Sequence, residues 1–428
     1  MKPMSVTKKG GSPFVFLTLM VIAFLLHSVL ASAVVAAVDR DVDRITLYFF
    51  NGIVVYDSST NKTLVLETPA NLTLEEGFEQ RVVTLLSYNL LFNETLRAFT
   101  FNATEGYVGF FVCRVEVYVR PMSQTLALIK RALREPASMP KPSSQELPEV
   151  VREYLRGPHP KVVEVVKPEY EKWFRKVYGR SVDEVGSLGV AATAAYFAYF
   201  VYIEYDPSGI PRSIEQVIES RQGDCDDMSR ILVELLNAYE IPAIMVGGHT
   251  YIQGLNLTQP IENVTYKYVN GGPHAFVMAY VPGEGWISLD FLARSLLANP
   301  FVFEGYGRET RVEGELVEEV LRLHRSLNAT QAFVLMSEGE FEKMLGEPVT
   351  LGKAMRLFQQ VAGVEGVGGL KEPTATTLQV EEVATTRSEA WQVLGFVAVL
   401  VPAVTASAVL IKRIALPRKH GLKTGKAY

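Results

Sequence analysis

The stretch Arg221-Gln222-Gly223-Asp224-Cys225-Asp226-Asp227-Met228-Ser229, with the run behind it, admits few folds. Met228, Ile231, Leu232, Leu235, Leu236 and Tyr239 recur at spacings of three and four, which predicts a helix over Cys225 to Tyr239 with one stripe turned to a core. Asp224 suits the N-cap and Pro242 ends the helix. Cys225 therefore falls in the first turn, where unpaired amide N–H groups and the positive end of the helix dipole favour a thiolate. A nucleophile is one reading of this cysteine, and a small buried side chain is the other.

What surrounds the helix narrows the setting. Residues 14–38 form 25 positions without a formal charge behind Lys2, Lys8 and Lys9, long enough to cross a bilayer. Ala31-Ser32-Ala33 resembles a signal-peptidase site, but an uncleaved anchor is the reading adopted. Val393 to Ile411 is a second uncharged run of 19 residues, followed by Lys412, Arg413, Arg418, Lys419, Lys423 and Lys426. Basic residues on the outer side of both runs place both termini in the cytoplasm and the centre outside the cell membrane. Seven Asn-X-Thr acceptors, at Asn61, Asn71, Asn93, Asn102, Asn256, Asn263 and Asn328, all lie between the two runs. That agrees with an exported glycoprotein of archaeal or eukaryotic, by preference archaeal, source. A net charge of −5 gives no electrostatic case for nucleic acid, and two cysteines, Cys113 and Cys225, make no disulfide framework.

The 428 residues divide into a transmembrane helix or signal anchor (14–38), a β-rich domain (39–121), a linker with helices (122–186), the cysteine-bearing domain (187–300), a helical extension (301–370), a stalk (371–390), a second transmembrane helix (391–411) and a basic tail (412–428). In the β-rich part, Ile45–Phe50, Ile53–Tyr56, Thr63–Leu66 and Tyr107–Val119 read as strands and Glu79–Leu91 as a helix. Cys113 sits in the last strand, as core. Ser213-Ile214-Glu215-Gln216 opens a short helix with a capping box. Beyond the cysteine helix, Ala243–Val246 reads as a short strand ending at Gly247-Gly248, and 251–270 as an exposed polar loop. His274–Val281 and Trp286–Phe291 around Pro282-Gly283-Glu284-Gly285 predict a hairpin.

A cysteine nucleophile needs a base in reach, and the base needs a partner that holds its tautomer. His274 begins one strand of the hairpin and Asp290 ends the other, so both lie at its open end. They share a face only if the register pairs positions of even sum. His249 is a rival base on a predicted loop, and Asp226 and Asp227 are either cation ligands or first-turn acids suited to the helix dipole.

Gly223-Asp224-Cys225 with Ser229 and Leu232, then Ile241-Pro242-Ala243, His274-Ala275-Phe276 and Gly285-Trp286-Ile287-Ser288-Leu289-Asp290, with Tyr202-Ile203-Glu204-Tyr205-Asp206 ahead of them, resemble the transglutaminase-like superfamily over roughly residues 187–295. The resemblance implies a papain-related α+β fold in which the helix bearing the cysteine packs on an antiparallel sheet bearing the histidine and the aspartate. It also implies a triad of Cys225 as nucleophile, His274 as general base and acid and Asp290 as orienting carboxylate, with the Cys225 N–H in an oxyanion hole. Phe276 stands where many members carry Trp, and Trp286 is expected to pack beneath the triad. Three acids at 224, 226 and 227 oppose a thiolate and make it depend on His274. The expected activity is thiol protease or acyltransferase chemistry on a protein or peptide substrate at the cell surface, hydrolysing peptide or isopeptide amides through a thioester, with no cofactor and no metal. A non-enzymatic adhesion or assembly module on the same fold is the alternative.

Overall fold

β-branched and aromatic residues crowd the described chain, and they build one large sheet. The computed structural model describes residues 42–364 apart from 61, 75–76, 97, 139–146, 208–210 and 308–313. All of these except Val42 belong to the compact unit Asp43–Tyr428. Segments 14–38 and 371–428, hence both hydrophobic runs, the stalk and the basic tail, lie outside the described residues. Among the described residues no helix is long and apolar enough to cross a membrane.

The nine-stranded sheet has the order β13 (Phe301–Gly307), β10 (Ala243–Ile261), β11 (Val264–Val281), β14 (Leu327–Ser337), β1 (Asp43–Ser58), β7 (Val108–Val119), β4 (Phe78–Tyr88) and β3 (Leu72–Leu74), with β12 (Gly285–Ser288) also on β11. Neighbours are antiparallel except β11 and β14, which run parallel. The β-rich N-terminal part and the site-bearing segment thus share one sheet, joined through β14. Its ends meet: Gln80 on β4 donates to Phe303 O on β13 (2.7 Å) and accepts from Phe303 N (2.9 Å). The curl encloses a core that includes Phe49, Phe99, Phe111, Phe276, Phe303 and Phe333. β2 (Thr63–Leu66), β6 (Ala98–Asn102) and β5 (Leu91–Asn93) form a small separate sheet.

Several expectations are corrected here. Glu79–Leu91 is not a helix; Phe78–Tyr88 is strand β4, in register with β7 through Gln80↔Val117. Residues 251–270 are not a loop, because β10 and β11 continue through them as a long hairpin, bulged between Tyr251 and Asn256. The 301–370 extension is not purely helical. It supplies β13 and β14, the latter buried on both faces, with Phe333 and Leu335 in the curled core and Val334 and Met336 under the C-terminal helices.

The helices are α1 (Met122–Arg134), α2 (Glu149–Arg152), α3 (Lys167–Tyr178), α4 (Ser187–Phe197), α5 (Ile214–Ser220), α6 (Cys225–Asn237), α7 (Gly314–Arg325), α8 (Glu338–Met344) and α9 (Leu351–Ala362). The predicted capping box opens α5: Ser213 Oγ accepts Gln216 N and Gln216 returns to Ser213 N. α6 ends two residues before the predicted Tyr239 and is buried all round. Its Met228, Ile231, Leu232, Leu235 and Leu236 meet Ala243, Met245, Ala275 and Val277 of the β10–β11 hairpin in a second core. Burying each of these large side chains stabilises by about 1.5–3 kcal/mol. On this helix rests Ala-rich α4, which a π turn, Ala198–Tyr202, extends.

Candidate active site

Asp224 is the N-cap of α6, so Cys225 is its first helical residue, as the sequence predicts. The thiol is fully buried. Its sulfur accepts the backbone N–H of Ala275, the residue after His274. Ser229, one turn on, donates to Cys225 O (2.6 Å) and meets Tyr199 Oη of the π turn at 3.2 Å. The cysteine turn is therefore tied both to β11 and to the helix above it.

The register question is settled by Met278↔Ser288, whose sum is even. His274 Nε2 lies 2.9 Å from Asp290 Oδ2. Asp290 itself follows β12 and accepts three backbone N–H groups besides: Leu292 (2.9 Å) and Ala293 (3.1 Å) on Oδ1, and Ser295 (2.8 Å) on Oδ2. Burial alone would raise this carboxyl. The pairing with His274, and then with Ser295, outweighs it and holds Asp290 below the usual carboxylate range. An ionised Asp290 can only accept, so His274 carries its proton on Nε2. Its Nδ1 is buried without a hydrogen-bond partner, leaving a lone pair to take a proton. The 291–295 turn that wraps the carboxylate has no motif that sequence reading recognised. Its mark is Arg294 held at φ +56° in the left-handed region, which no periodicity reveals.

The acids at the helix start do not act alike. Arg230, itself buried, pairs with Asp226 at 2.9 Å and with Asp227, and Arg212 reaches Asp227 at 3.1 Å. Asp227 also accepts Asp224 N at 3.3 Å, the return half of a capping box. These two acids are therefore helix-start structure. Asp224 is different: burial, then the neighbouring Asp226, push its carboxyl well up. Carboxylate oxygens of Asp224 and Asp226 and the Cys225 sulfur lie within 4.8 Å of one another. Burial first, and then Asp224 and Asp226, push the thiol well above its ordinary value against the Ala275 N–H.

His249 is not brought to this site. It packs against Phe49, Tyr268 and Phe333 in the curled core and pairs with Glu304 at 3.0 Å. Trp286 is likewise not beneath the cysteine; it packs on Tyr154 and Tyr280 in that same curled core. Phe276 stacks on His274, ring centroids 6.1 Å apart. Tyr199 and the Ser295 turn are the participants that sequence reading missed.

Residues 182–291, about a quarter of the chain, match the family model of the transglutaminase-like superfamily. The chain is 33% identical over 89 residues to the uncharacterized protein YebA of Bacillus subtilis (strain 168), 19% of this chain and 12% of that one. It thus spans about an eighth of that relative's length. The crystal structure of a candidate cysteine protease from Cytophaga hutchinsonii aligns over 70% of this chain and 93% of its own, at 17% identity and a TM-score of 0.38.

Proposed function

We propose that the chain is a cysteine-dependent acyl-transfer enzyme that hydrolyses peptide or isopeptide amides, with Cys225 as nucleophile, His274 as base and acid and Asp290 as its orienting partner. The observation that carries this is the His274–Asp290 bond, which leaves Nδ1 as a buried lone pair while the next residue's N–H touches the thiol. The thiol proton passes to Nδ1 as sulfur attacks the amide carbon, and the oxyanion forms beside the Cys225 N–H. Collapse breaks the C–N bond, and the amine leaves with the proton from His274. Water then attacks the thioester, giving one proton to His274 Nδ1. That proton returns to sulfur as the acid is released.

The same proposal places this domain outside the cell, anchored by residues 14–38 and 391–411, facing protein or peptide substrates. Of the six acceptor asparagines among the described residues, Asn71, Asn102, Asn256, Asn263 and Asn328 are exposed and Asn93 half-buried, as glycan attachment requires. Full burial of Cys225 is the observation that favours the second reading, a non-enzymatic surface module on the same fold.

Alkylation of the full chain by iodoacetamide, mapped by mass spectrometry, tests the enzyme reading. Cys225 is expected to label at a rate that falls about 100-fold or more in His274→Ala. Cys113, enclosed in the curled core with its S–H donated to Phe49 O, should stay unlabelled while folded. Labelling of Cys225 indifferent to His274→Ala, or absent, overturns the enzyme reading.

A further inference from the structure

A second group of polar side chains, unused by the chemistry above, lies inside the curled sheet. His249 comes from β10, Glu304 from the bulge where β13 leaves its register with β10, and Glu67 from the turn just after β2. One ligand atom from each lies within 4.8 Å of the others. His249 and Glu304 are buried, whereas Glu67 is partly covered. His249 Nε2 bonds Glu304 Oε1 at 3.0 Å, yet Nδ1 has no partner. Beside the imidazole, with ring centroids 5.9 Å apart, is Tyr268, which is 1% exposed and whose hydroxyl also lacks a partner.

Two carboxylates this close in a low-dielectric interior repel, and burial makes each charge dear. Among the described residues no lysine or arginine is paired with either acid. Bringing two glutamates and a histidine to one point of an aromatic core is unfavourable unless something positive sits among them.

We propose that Glu67, His249 and Glu304 bind one divalent ion of the zinc class, beside the Tyr268 ring. One imidazole with two carboxylates is a zinc-type donor set, whereas calcium would want six to eight oxygens. Ligand atoms about a tetrahedral zinc stand ~3.4 Å apart; His249 and Glu304, at 3.0 Å, already stand that near, and Glu67 lies within 4.8 Å of both. The ion joins the turn after β2 to β10 and β13, where Ala70 N also bonds Phe303 O (3.0 Å). It therefore braces the closure of the sheet, one residue from Gly248, which pairs with His274.

The test is metal content of the full-length chain, without a histidine tag, equilibrated with Zn2+ and freed of excess. One zinc per chain is expected, retained in Cys225→Ser and bound at least ~10-fold more weakly in Glu67→Gln and Glu304→Gln. Glu67 is partly exposed, so its variant should fold even if Glu304→Gln does not, and its melting temperature should match that of the metal-free wild type. No zinc above background, zinc indifferent to Glu67→Gln, or zinc lost with Cys225→Ser overturns the proposal, the last by assigning the metal to the thiol and its flanking acids.

Discussion

Asp290→Asn isolates what the orienting carboxylate does, because it keeps the size of the side chain and removes one acceptor. Asp290 takes four hydrogen bonds: two on Oδ1 from Leu292 and Ala293, two on Oδ2 from Ser295 and His274. An amide has one oxygen. Placed at the Oδ1 position it keeps Leu292 and Ala293 and turns its NH2 toward the Ser295 N–H, which is left unpaired at about 1–3 kcal/mol. Placed at the Oδ2 position it strands two backbone N–H groups, about twice that cost. The first orientation wins, and in it the NH2 faces His274 Nε2. The imidazole can accept that bond only by moving its proton to Nδ1, the atom that has to receive the thiol proton. The variant should therefore lose only about 1–3 kcal/mol in urea unfolding, yet alkylate at Cys225 some 100- to 10,000-fold more slowly at neutral pH. Any opening needed to reach the buried thiol is common to both proteins, so the rate ratio reads the tautomer. A folded Asp290→Asn protein that alkylates at the wild-type rate would refute the assignment of Nδ1 as the base.

Asp224→Asn keeps a residue suited to the N-cap while removing the acid that, after burial, does most to push Cys225 up, so the midpoint of its alkylation-pH profile should move to lower pH; an unchanged or higher midpoint contradicts the placement of that charge. Arg230→Met leaves Asp226 and Asp227 buried without their shared partner and should cost about 3–5 kcal/mol of stability, read as a lower denaturation midpoint. Asp290, held low in the fold, contributes stability that is fully present above the ordinary value of 3.8 and is lost as pH falls through its lower folded value. In Asp290→Asn the acid limb of the stability curve should accordingly be shallower in that window.

The local signals of the site were legible and the long-range pairings were not. Helix periodicity, N-cap and capping box located α6 and α5 to within two residues, since each depends on neighbours in sequence. The β10–β11 hairpin was cut short because Gly247-Gly248 and Gly271-Gly272-Pro273 look like terminators. They mark close approach instead: a Cβ at Gly248 would lie 2.0 Å from Val302 O, and one at Gly271 2.2 Å from Thr250 O. β14 escaped because a strand buried on both faces shows no alternation, and its partners β1 and β11 lie far away in sequence. Asp290 could be named, but its three backbone donors come from a turn whose conformation no residue pattern announced.

The acids around Cys225 change what the helix start can do for it. A first turn usually favours a thiolate through its unpaired N–H groups and dipole. Here Asp226 and Asp227 already draw on that positive end, and although Arg230 and Arg212 offset their charge, both arginines face the acids rather than the sulfur. Asp224, with its carboxyl pushed up, and full burial of the thiol act in the same direction. The Ala275 N–H works against them, and its effect is smaller than that of burial, Asp224 or Asp226. The thiol is then neutral at rest, and the nucleophile is made only as its proton moves to Nδ1 during attack. The four bonds that fix Asp290 consequently govern the reactivity of a cysteine to which Asp290 contributes no atom.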